Sequence, residues 1–287
     1  MISVQHLSKT FELTKQQRKE LQTQAKTANA VKDISFECQP GRVFSLLGPN
    51  GAGKTTTLRM LATLVKPSSG QIQIQGIDAL AHPEEARKHI GFLTGSTGLY
   101  ARLTPIELID YYADLYAVEP NTREKRKAAL FELLNMEDFL HQRIGKLSTG
   151  MKQKVSICRT MIHDPEVVIF DEPTSGLDVI TAENIIKLIR SCKDQGKTVI
   201  FSSHIMSEVD LLCDDLAIIH KGELKYQGTM EEFKAQMQTK NLTEEFIRIV
   251  QTQNSDMTLS FYLSIKVDAG GYIRITLPNS PATMTVT

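Results

Sequence analysis

Apolar residues recur along this chain in short blocks with the length and spacing of β-strands. The stretch QIQIQG at 71–76 alternates polar and apolar residues, which is typical of a half-exposed strand. The runs RVFSLL at 42–47 and EVVIF at 166–170 are almost continuously apolar, which predicts buried strands. Further strands are predicted over residues 1–11, 30–38, 198–203 and 216–220.

Helical patterns lie between these strands and are concentrated in one segment. Helices are predicted over residues 55–64, 125–134 and 181–193. The sequence Thr104-Pro105-Ile106-Glu107 has the form of a capping box with proline at the first helical position, so a helix is expected to begin there. Because the pattern stays helical from about 104 to 162 before strands resume, the sequence predicts an α/β core interrupted by a helical insert.

Two segments predict less regular structure. Residues 15–29, KQQRKELQTQAKTAN, are rich in Lys, Gln and Thr and predict a solvated loop or a loose helix. Towards the C-terminus, residues 233–250 predict a helix, and YIRITL at 272–277 predicts a short strand in weakly ordered surroundings. We therefore predict a main domain over residues 1–230, a helical subdomain inserted in it at about 96–162, and a C-terminal extension over 231–287.

The composition narrows the classes of partner. Lys+Arg and Asp+Glu both number 33, whereas a protein that acts mainly on DNA or RNA usually carries a basic excess. Apolar residues make up 41% of the chain, enough for a substantial core. The longest apolar runs fall far short of the ~20 residues that span a bilayer, and the N-terminus lacks the apolar core of a signal peptide. Membrane association is therefore expected to come through a partner.

A glycine-rich loop follows the strand at 42–47 and precedes a helix. Its sequence, GPNGAGKT, matches G-x-x-x-x-G-K-[ST] in the context that such a phosphate-binding loop requires. The glycines let backbone N–H groups converge on phosphates, Lys54 adds a positive charge, and Thr55 offers a hydroxyl to Mg²⁺. The candidate ATP-binding residues in and next to this loop are Gly48, Pro49, Asn50, Gly51, Ala52, Gly53, Lys54, Thr55 and Thr56.

Two acidic residues end the apolar strand at 166–170. Ligands in α/β proteins bind at the carboxyl ends of parallel strands, which is where Asp171 and Glu172 are predicted to lie. Asp171 is the candidate for holding Mg²⁺ together with Thr55. Glu172 is then placed to orient or activate the attacking water, because phosphoryl transfer depends mainly on positioning and charge neutralisation.

The motifs GPNGAGKT, LSTGM, FDEPTSGLD and a late His204, in this order, resemble the nucleotide-binding subunits of ABC transporters. The resemblance covers roughly residues 1–230. It implies an α/β fold of the P-loop NTPase type: an ABC-type ATPase domain with a mixed β core, a RecA-like α/β core and a helical subdomain insert. It also implies an ATPase that binds ATP and Mg²⁺.

The second loop, LSTGM, matches the family's signature loop. Family members pack head to tail, and each signature loop closes over the ATP held by the other subunit. The matching residues are Leu147, Ser148, Thr149 and Gly150. The Ser148 side chain and the amides of Thr149 and Gly150 are expected to meet the γ-phosphate of the partner's nucleotide. The common form is L-S-G-G-Q, so Thr149 and Met151 are departures, but threonine can keep an unstrained φ and the loop is expected to remain competent.

Three other family positions can be matched, and one cannot. Ser175, Gly176, Leu177 and Asp178 match the D-loop, which crosses the dimer interface beside the opposite site. His204 matches the switch histidine that contacts the γ-phosphate, and Phe11 is the candidate aromatic that stacks on adenine. The family's Q-loop glutamine, which touches Mg²⁺, is replaced by Gly95. Water, Ser96 or Thr97 are the candidates to take its place.

Three classes of ABC protein are alternative interpretations of this sequence. They are the ATPase subunit of a membrane transporter, a soluble ABC ATPase acting on ribosomes or DNA, and a regulatory module without turnover. Translation-type relatives usually hold two cassettes and DNA-repair types insert long coiled coils, and neither pattern occurs here. Asp171, Glu172 and His204 are all present, which disfavours a module without turnover. We predict a transporter ATPase with itself or a homologous subunit as dimer partner, held by a separate permease at the cytoplasmic face of the cell membrane.

The cargo and the docking surface follow only from resemblance. Residues 91–116 and 147–178 resemble the subgroup associated with sodium export and, more broadly, with multidrug or antibiotic efflux, so Na⁺ export is predicted with drug efflux as the alternative. Residues 99–118 are expected to dock on the permease. Their apolar and aromatic residues are Leu99, Tyr100, Leu103, Leu108, Tyr111, Tyr112, Leu115 and Tyr116. Internal packing is the preferred interpretation for Leu103, Leu108 and Leu115, whereas both interpretations stay open for the tyrosines.

Overall fold

The computed structural model describes residues 1–20, 22–94 and 98–251, and the backbone of three strands at 264–267, 273–276 and 283–286. Within these ranges the chain forms two compact units, Met1–Glu245 and Phe246–Thr287. The predicted domain boundary at residue 230 stays a prediction.

The strands of the first unit are short, as the apolar blocks predict. In chain order they are β1 (Ile2–Glu12), β2 (Thr27–Cys38), β3 (Val43–Leu47), β4 (Ser69–Ile74), β5 (Ile77–Asp78), β6 (Ile90–Leu93), β7 (Val167–Asp171), β8 (Thr198–Ser203), β9 (Asp215–His220) and β10 (Glu223–Thr229). The second unit contributes a three-stranded antiparallel sheet of β11 (Ser264–Val267), β12 (Ile273–Thr276) and β13 (Thr283–Val286). The strand predicted over 272–277 corresponds to β12.

The helices are α1 (Lys15–Glu20), α2 (Lys54–Leu61), α3 (Pro83–Lys88), α4 (Pro105–Leu115), α5 (Pro120–Leu133), α6 (Thr149–Met161), α7 (Val179–Asp194), α8 (Met206–Leu212), α9 (Met230–Gln236) and α10 (Leu242–Gln251). The capping box predicted at Thr104 is confirmed: its hydroxyl accepts from Glu107 N, and the Glu107 carboxylate accepts from Thr104 N. Short 3₁₀ turns at Glu137–Phe139 and Ile144–Lys146 join α5 to α6.

Two sheets form the body of the first unit. The smaller is antiparallel, with strand order β2-β1-β4-β5. The larger has the order β10-β9-β3-β8-β7-β6, and its pairs are parallel except for β10 against β9. Phe36 of β2 stacks on Phe44 of β3 at 5.1 Å between ring centroids, within the apolar core that the two sheets share. Because β8 lies between β3 and β7 and all three strands are parallel, their carboxyl ends lie side by side.

The helical insert interrupts the larger sheet between neighbouring strands. Strand β6 precedes it and β7 follows it, yet the two pair in parallel with Ile90 opposite Val167. The prediction of a β core that is interrupted and then resumed is therefore confirmed. Within the insert, Leu108 is buried as expected, whereas the preference for Leu115 as an internal residue is wrong, because its side chain is 65% exposed.

Three local predictions differ from the structure. The helix predicted over 233–250 is two helices, α9 and α10, because Thr229 caps the first and residues 237–241 interrupt the pattern. The segment at 15–29 contains α1, which has no buried residue, and residues 27–29 belong to β2, where Thr27 pairs with Glu12. The helices α3 and α8 and the strand β10 were not predicted, since each is short or mostly polar.

Among the residues that the structure describes, there is no helix with the length and apolar character needed to cross a bilayer.

Candidate ATP-binding site

The candidate residues of the ATP site meet at the carboxyl edge of the larger sheet. The glycine-rich loop leaves β3, the two acids end β7, and His204 follows β8. In the parallel register Leu47 lies opposite Ser203, and Asp171 lies opposite Ser202. Strand order alone thus brings together residues that are more than a hundred positions apart, as ligand sites in parallel sheets require.

Lys54 lies under the glycine-rich loop at the start of α2. Its side chain is 4% exposed, and its Nζ donates to the carbonyl of Gly48 at 2.7 Å and approaches that of Pro49 at 3.3 Å. Its positive charge is also 3.4 Å from Oε1 of Glu172. Asn50 and Gly51, at the rim of the loop, are exposed, so the loop is open to solvent above an enclosed cation.

Two glycines in this loop are required by their neighbours. A Cβ on Gly48 would lie 2.3 Å from the carbonyl oxygen of Ile219. Gly53 has φ +112°, and its Cβ would lie 2.5 Å from the carbonyl oxygen of Ala30 in β2. Both distances are far below van der Waals contact, so the loop keeps its path against β9 and β2 only with glycine at these two positions.

Asp171 is held by two hydroxyl groups. Its carboxylate is nearly buried, and Oδ1 accepts from Thr55 Oγ1 at 3.1 Å and from Ser202 Oγ at 2.8 Å. Thr55 comes from the helix that begins at the glycine-rich loop, whereas Ser202 comes from the neighbouring strand. The carboxylate therefore joins the loop to the sheet.

Glu172 lies between Lys54 and His204. Its Oε1 is 3.4 Å from Lys54 Nζ, and its Oε2 is 3.4 Å from Nδ1 of His204. Its backbone is left-handed, with φ 50°, and its N–H lies 3.2 Å from the carbonyl and 3.0 Å from the hydroxyl of Ser202. Left-handed geometry in a non-glycine residue costs on the order of 1 kcal/mol and persists where surrounding contacts hold it.

These residues fit ATP and Mg²⁺. An enclosed ammonium beneath an exposed loop, at the start of a helix, is a suitable binding place for phosphate oxygens. Thr55 Oγ1 and the Asp171 carboxylate lie within 3.1 Å of each other and are oxygen donors of the kind that Mg²⁺ prefers. Thr56, the last residue of the predicted set, is in the first turn of α2 and partly exposed.

Phe11 lies near the end of β1 in the smaller sheet. It pairs with Ala28, two positions before Ala30, whose carbonyl contacts the position of Gly53. The ring is 39% exposed, and Lys9 Nζ lies 4.9 Å from its centroid. An exposed aromatic ring at this place is available for stacking on a base.

The candidate signature residues form the start of α6. Ser148 is its N-cap and accepts from Met151 N at 3.2 Å, while Thr149 is exposed and Leu147 is buried. A Cβ on Gly150 would lie 3.3 Å from Thr181 Oγ1 and 3.4 Å from Asp178 Oδ2. The signature loop and the end of the D-loop are therefore in contact within one chain.

The D-loop residues Ser175, Gly176, Leu177 and Asp178 lead into α7. Asp178 is the N-cap of that helix and accepts from Thr181 N at 2.9 Å and Thr181 Oγ1 at 2.8 Å. These hydrogen bonds lower the pKa of Asp178, so its carboxylate is ionised over the whole neutral range. A further contact, from Gln153 Nε2 to the carbonyl of Pro173 at 3.1 Å, joins α6 to the segment between Glu172 and the D-loop.

One prediction on the site is not tested, and one residue of the site was not predicted. The replacement of the Q-loop glutamine by Gly95, with Ser96 and Thr97 as substitutes, falls outside the described residues. Ser202 was not predicted at all. The signal for it was the serine pair that ends the apolar run TVIFSS, directly before His204, but the contact with Asp171 depends on strand order.

Comparisons with known proteins agree with this geometry. Residues 31–175 match the family model described as ABC transporter. The chain is 41% identical over 227 residues to the ABC transporter ATP-binding protein NatA of Bacillus subtilis, covering 79% of this chain and 92% of NatA. It is 37% identical over 199 residues to the linearmycin resistance ATP-binding protein LnrL of the same organism, covering 69% of this chain and 64% of LnrL.

The fold is matched by solved structures as well. A structure described as the ATP binding subunit of an ABC transporter superposes with a TM-score of 0.77 at 28% identity, covering 87% of this chain and 99% of that one. The predicted fold class and the resemblance on which it depends are thereby confirmed. The chain belongs to the ABC transporter family and is an ATP-binding subunit of that family, with the activity of an ATPase.

Proposed function

We propose that two copies of this chain, or one copy and a homologous subunit, bind two ATP molecules between them head to tail. Closure of this dimer drives export through a separate membrane-spanning permease, and hydrolysis resets it. The free energy comes from the higher affinity of the dimer interface for ATP than for ADP. The chain would then act at the cytoplasmic face of the membrane.

Within one site, each residue has a distinct task. Lys54 and the amides of the glycine-rich loop bind the β- and γ-phosphates, and Phe11 stacks on the adenine. Thr55 and Asp171 would hold Mg²⁺, which supplies neutralisation of the phosphate charge when bound. Glu172 orients the attacking water and accepts its proton, and His204, whose Nδ1 is 3.4 Å from that carboxylate, lies where it can contact the γ-phosphate.

The main observation in favour of the dimer is the exposed surface beside the signature loop. Ser148 and Thr149 are exposed at a helix start, next to the D-loop. The first two residues of α7, Val179 and Ile180, are 85% and 73% exposed although both are apolar. Large exposed apolar side chains beside polar loops are typical of a protein interface. A second copy would cover them and place its own ATP against the start of α6.

The aromatic residues of the helical insert support a permease surface. Tyr100 and Tyr111 are 56% and 49% exposed and contact each other edge to face at 6.2 Å. They line a shallow cavity of about 420 Å³ together with Ala101, Arg102 and Leu103. Tyr112 and Tyr116 are less available, since Tyr112 packs against Arg159 and Tyr116 stacks on His163. The exposed pair is the better candidate for docking.

For the cargo, we propose Na⁺ first and a drug or antibiotic as the alternative. The resemblance of residues 91–116 and 147–178 to the sodium-export subgroup supports Na⁺. The 37% identity to a linearmycin resistance protein favours the alternative. None of the candidate ATP-site residues selects the cargo, so the permease must supply the specificity.

The dimer is tested with a Glu172→Gln variant, which should bind MgATP without hydrolysing it. Light scattering should give twice the monomer mass with MgATP and the monomer mass with MgADP. A matched control, Glu172→Gln with Ser148→Arg, should bind a fluorescent ATP analogue equally well and stay monomeric, because only the signature side is blocked. A monomer in every condition would contradict the dimer.

The transport function is tested by purifying the chain from detergent-solubilised membranes of its host. A co-purifying protein with several apolar spans of about 20 residues is expected. Inverted membrane vesicles should then take up Na⁺ on addition of ATP, and Glu172→Gln should abolish the uptake. ATP-dependent uptake of a drug without Na⁺ would support the alternative, and co-purification with ribosomes or DNA would contradict both.

A further inference from the structure

Ser202 is a buried residue in contact with both acids of the site. It is in β8, directly opposite Asp171 of β7 in the parallel register, and its side chain is completely buried. A serine at this place shortens the apolar run of the strand and removes a side chain of the Val or Ile type from the core. Burying a hydroxyl is unfavourable unless a hydrogen bond compensates for its lost hydration.

The hydroxyl joins the two acids of the site, because it accepts a hydrogen bond from one and donates a hydrogen bond to the other. The backbone N–H of Glu172 donates to Ser202 Oγ at 3.0 Å, and Ser202 Oγ donates to Asp171 Oδ1 at 2.8 Å. A serine hydroxyl has one hydrogen to donate, and here it is donated to the charged carboxylate of Asp171. The amide of Glu172 donates to a lone pair of the same oxygen. One atom thereby orients the Asp171 carboxylate and holds the left-handed backbone of Glu172.

A second buried serine shows that the arrangement does not follow from burial alone. Ser45, in the adjacent strand β3, is also completely buried, and within the described part of the chain its hydroxyl has no hydrogen-bond partner. The sheet therefore tolerates a buried hydroxyl that makes no contact. The two contacts of Ser202 are particular to its place beside Asp171 and Glu172.

We propose that Ser202 is a positioning residue for ATP hydrolysis, which acts through Asp171 on the affinity for Mg²⁺ and through Glu172 on the rate of turnover. This inference rests on the proposed roles of Asp171 and Glu172. Removing the hydroxyl leaves Asp171 Oδ1 with Thr55 as its hydrogen-bond donor and frees the carboxylate to rotate. Groups that orient a metal ligand from behind typically change metal affinity or activity by about 10-fold to 100-fold when they are removed.

The test compares Ser202→Ala with Ser45→Ala, two changes that remove one buried hydroxyl from neighbouring strands. The binding of mant-ATP is measured in Mg²⁺ and in EDTA, and the ratio of the two affinities isolates the contribution of the metal. In Ser202→Ala this ratio should fall about tenfold relative to wild type, with unchanged affinity in EDTA, and kcat should fall by a similar factor with a smaller change in KM. Ser45→Ala should keep the wild-type ratio and kcat.

The remaining outcomes separate a positioning role from a structural one. Ser202→Thr keeps a hydroxyl on the strand and should recover most of the Mg²⁺ dependence, which a purely structural role would not predict. A Ser202→Ala variant with the wild-type ratio and kcat would overturn the inference, as would equal losses in both Ala variants. If the wild-type protein itself bound mant-ATP equally in Mg²⁺ and EDTA, the role proposed for Asp171 would fail first.

Discussion

At the scale of single residues, the site depends on backbone conformations that few residue types tolerate. Gly53 has φ +112° and lies against the carbonyl of Ala30, while Glu172 is left-handed although it carries a side chain. The first is maintained by the absence of a Cβ and the second by hydrogen bonds from its N–H to Ser202. The two positions therefore respond differently to substitution.

Two alanine substitutions in the phosphate-binding loop separate backbone strain from steric clash. Gly51 and Gly53 both have positive φ, but a Cβ on Gly51 would meet nothing within 4 Å, whereas one on Gly53 would meet Ala30 O at 2.5 Å. Gly51→Ala should cost about 1 kcal/mol of stability and Gly53→Ala about 3 kcal/mol or more. Chemical denaturation measures both.

Nucleotide binding gives a second measure of the same pair. Gly53→Ala should also weaken the binding of mant-ATP more than Gly51→Ala does, because the loop can relieve the clash only by moving away from β2. Equal effects of the two substitutions on stability and binding would show that the close approach to Ala30 does not constrain the loop.

At the scale of elements, an ion pair between Lys32 and Glu223 joins the smaller sheet to the edge strand of the larger one. Glu223 of β10 accepts from Lys225 at 2.7 Å and from Lys32 of β2 at 3.1 Å. These two hydrogen bonds, that of Lys225 first, lower the pKa of Glu223 from 4.5 to about 2. The backbone adds a hydrogen bond beside this pair, from Lys32 N to the carbonyl of Gly222 in the turn before β10, at 2.7 Å.

The lowered pKa of Glu223 predicts a pH dependence of stability. A carboxylate whose pKa is lower in the folded state stabilises that state above its unfolded value of 4.5, and this stabilisation is lost as the pH falls from 4.5 towards 2. Glu223→Gln should therefore lower the thermal midpoint at pH 7, and the difference from wild type should shrink below pH 4.5 and vanish near pH 2. Since the pair is partly exposed, salt should reduce the effect.

The control for this prediction is Glu37→Gln, on the exposed face of the same strand β2 as Lys32. It removes a carboxylate without removing the bridge to β10. A difference between wild type and Glu223→Gln that stayed constant from pH 7 to pH 2.5 would mean that the ion pairs contribute nothing and that the loss comes from packing.

At the scale of the whole molecule, the helical insert and the core are tied together on both sides of β7. Asp164, which precedes the strand, pairs with Arg126 of α5 at 2.9 Å and with Lys197 before β8 at 2.5 Å. After the strand, Gln153 of α6 donates to the carbonyl of Pro173. These contacts connect the insert directly to both ends of the segment that contains β7 and Glu172.

The exposed apolar face beside the D-loop predicts which substitutions should weaken the proposed dimer. Burying an apolar side chain of this size contributes about 1.5–3 kcal/mol, so loss of both Val179 and Ile180 should weaken a dimer at least about tenfold. Val179→Asp with Ile180→Asp, in a Glu172→Gln background with MgATP, should raise the dimer dissociation constant measured by analytical ultracentrifugation while leaving thermal stability nearly unchanged.

A matched control uses another exposed apolar residue. Leu64, 59% exposed and beyond the end of α2 that is farthest from the phosphate-binding loop, should tolerate Leu64→Asp without effect on the dimer. If the double change at α7 left the dissociation constant as it is in Glu172→Gln alone, the proposed interface would have to lie elsewhere on the surface.

The sequence by itself determined the features that depend on residues close together in the chain. The phosphate-binding loop, the capping box at Thr104 and the strands β3, β7 and β8 could be predicted because turns, caps and apolar periodicity depend on neighbours in the chain. The acids after β7 were recognisable for the same reason, since ligands in α/β sheets bind at the carboxyl ends of buried parallel strands.

Only the tertiary structure decided which of these residues meet. The contact of Ser202 with Asp171 depends on β8 lying beside β7, and that of Thr55 with Asp171 joins residues 116 positions apart. Likewise Leu108 and Leu115 are the same residue type in the same helix, yet Leu108 is buried and Leu115 is 65% exposed, because exposure depends on what the rest of the fold covers. Strand order and burial arise from packing of the entire chain, which no local pattern records.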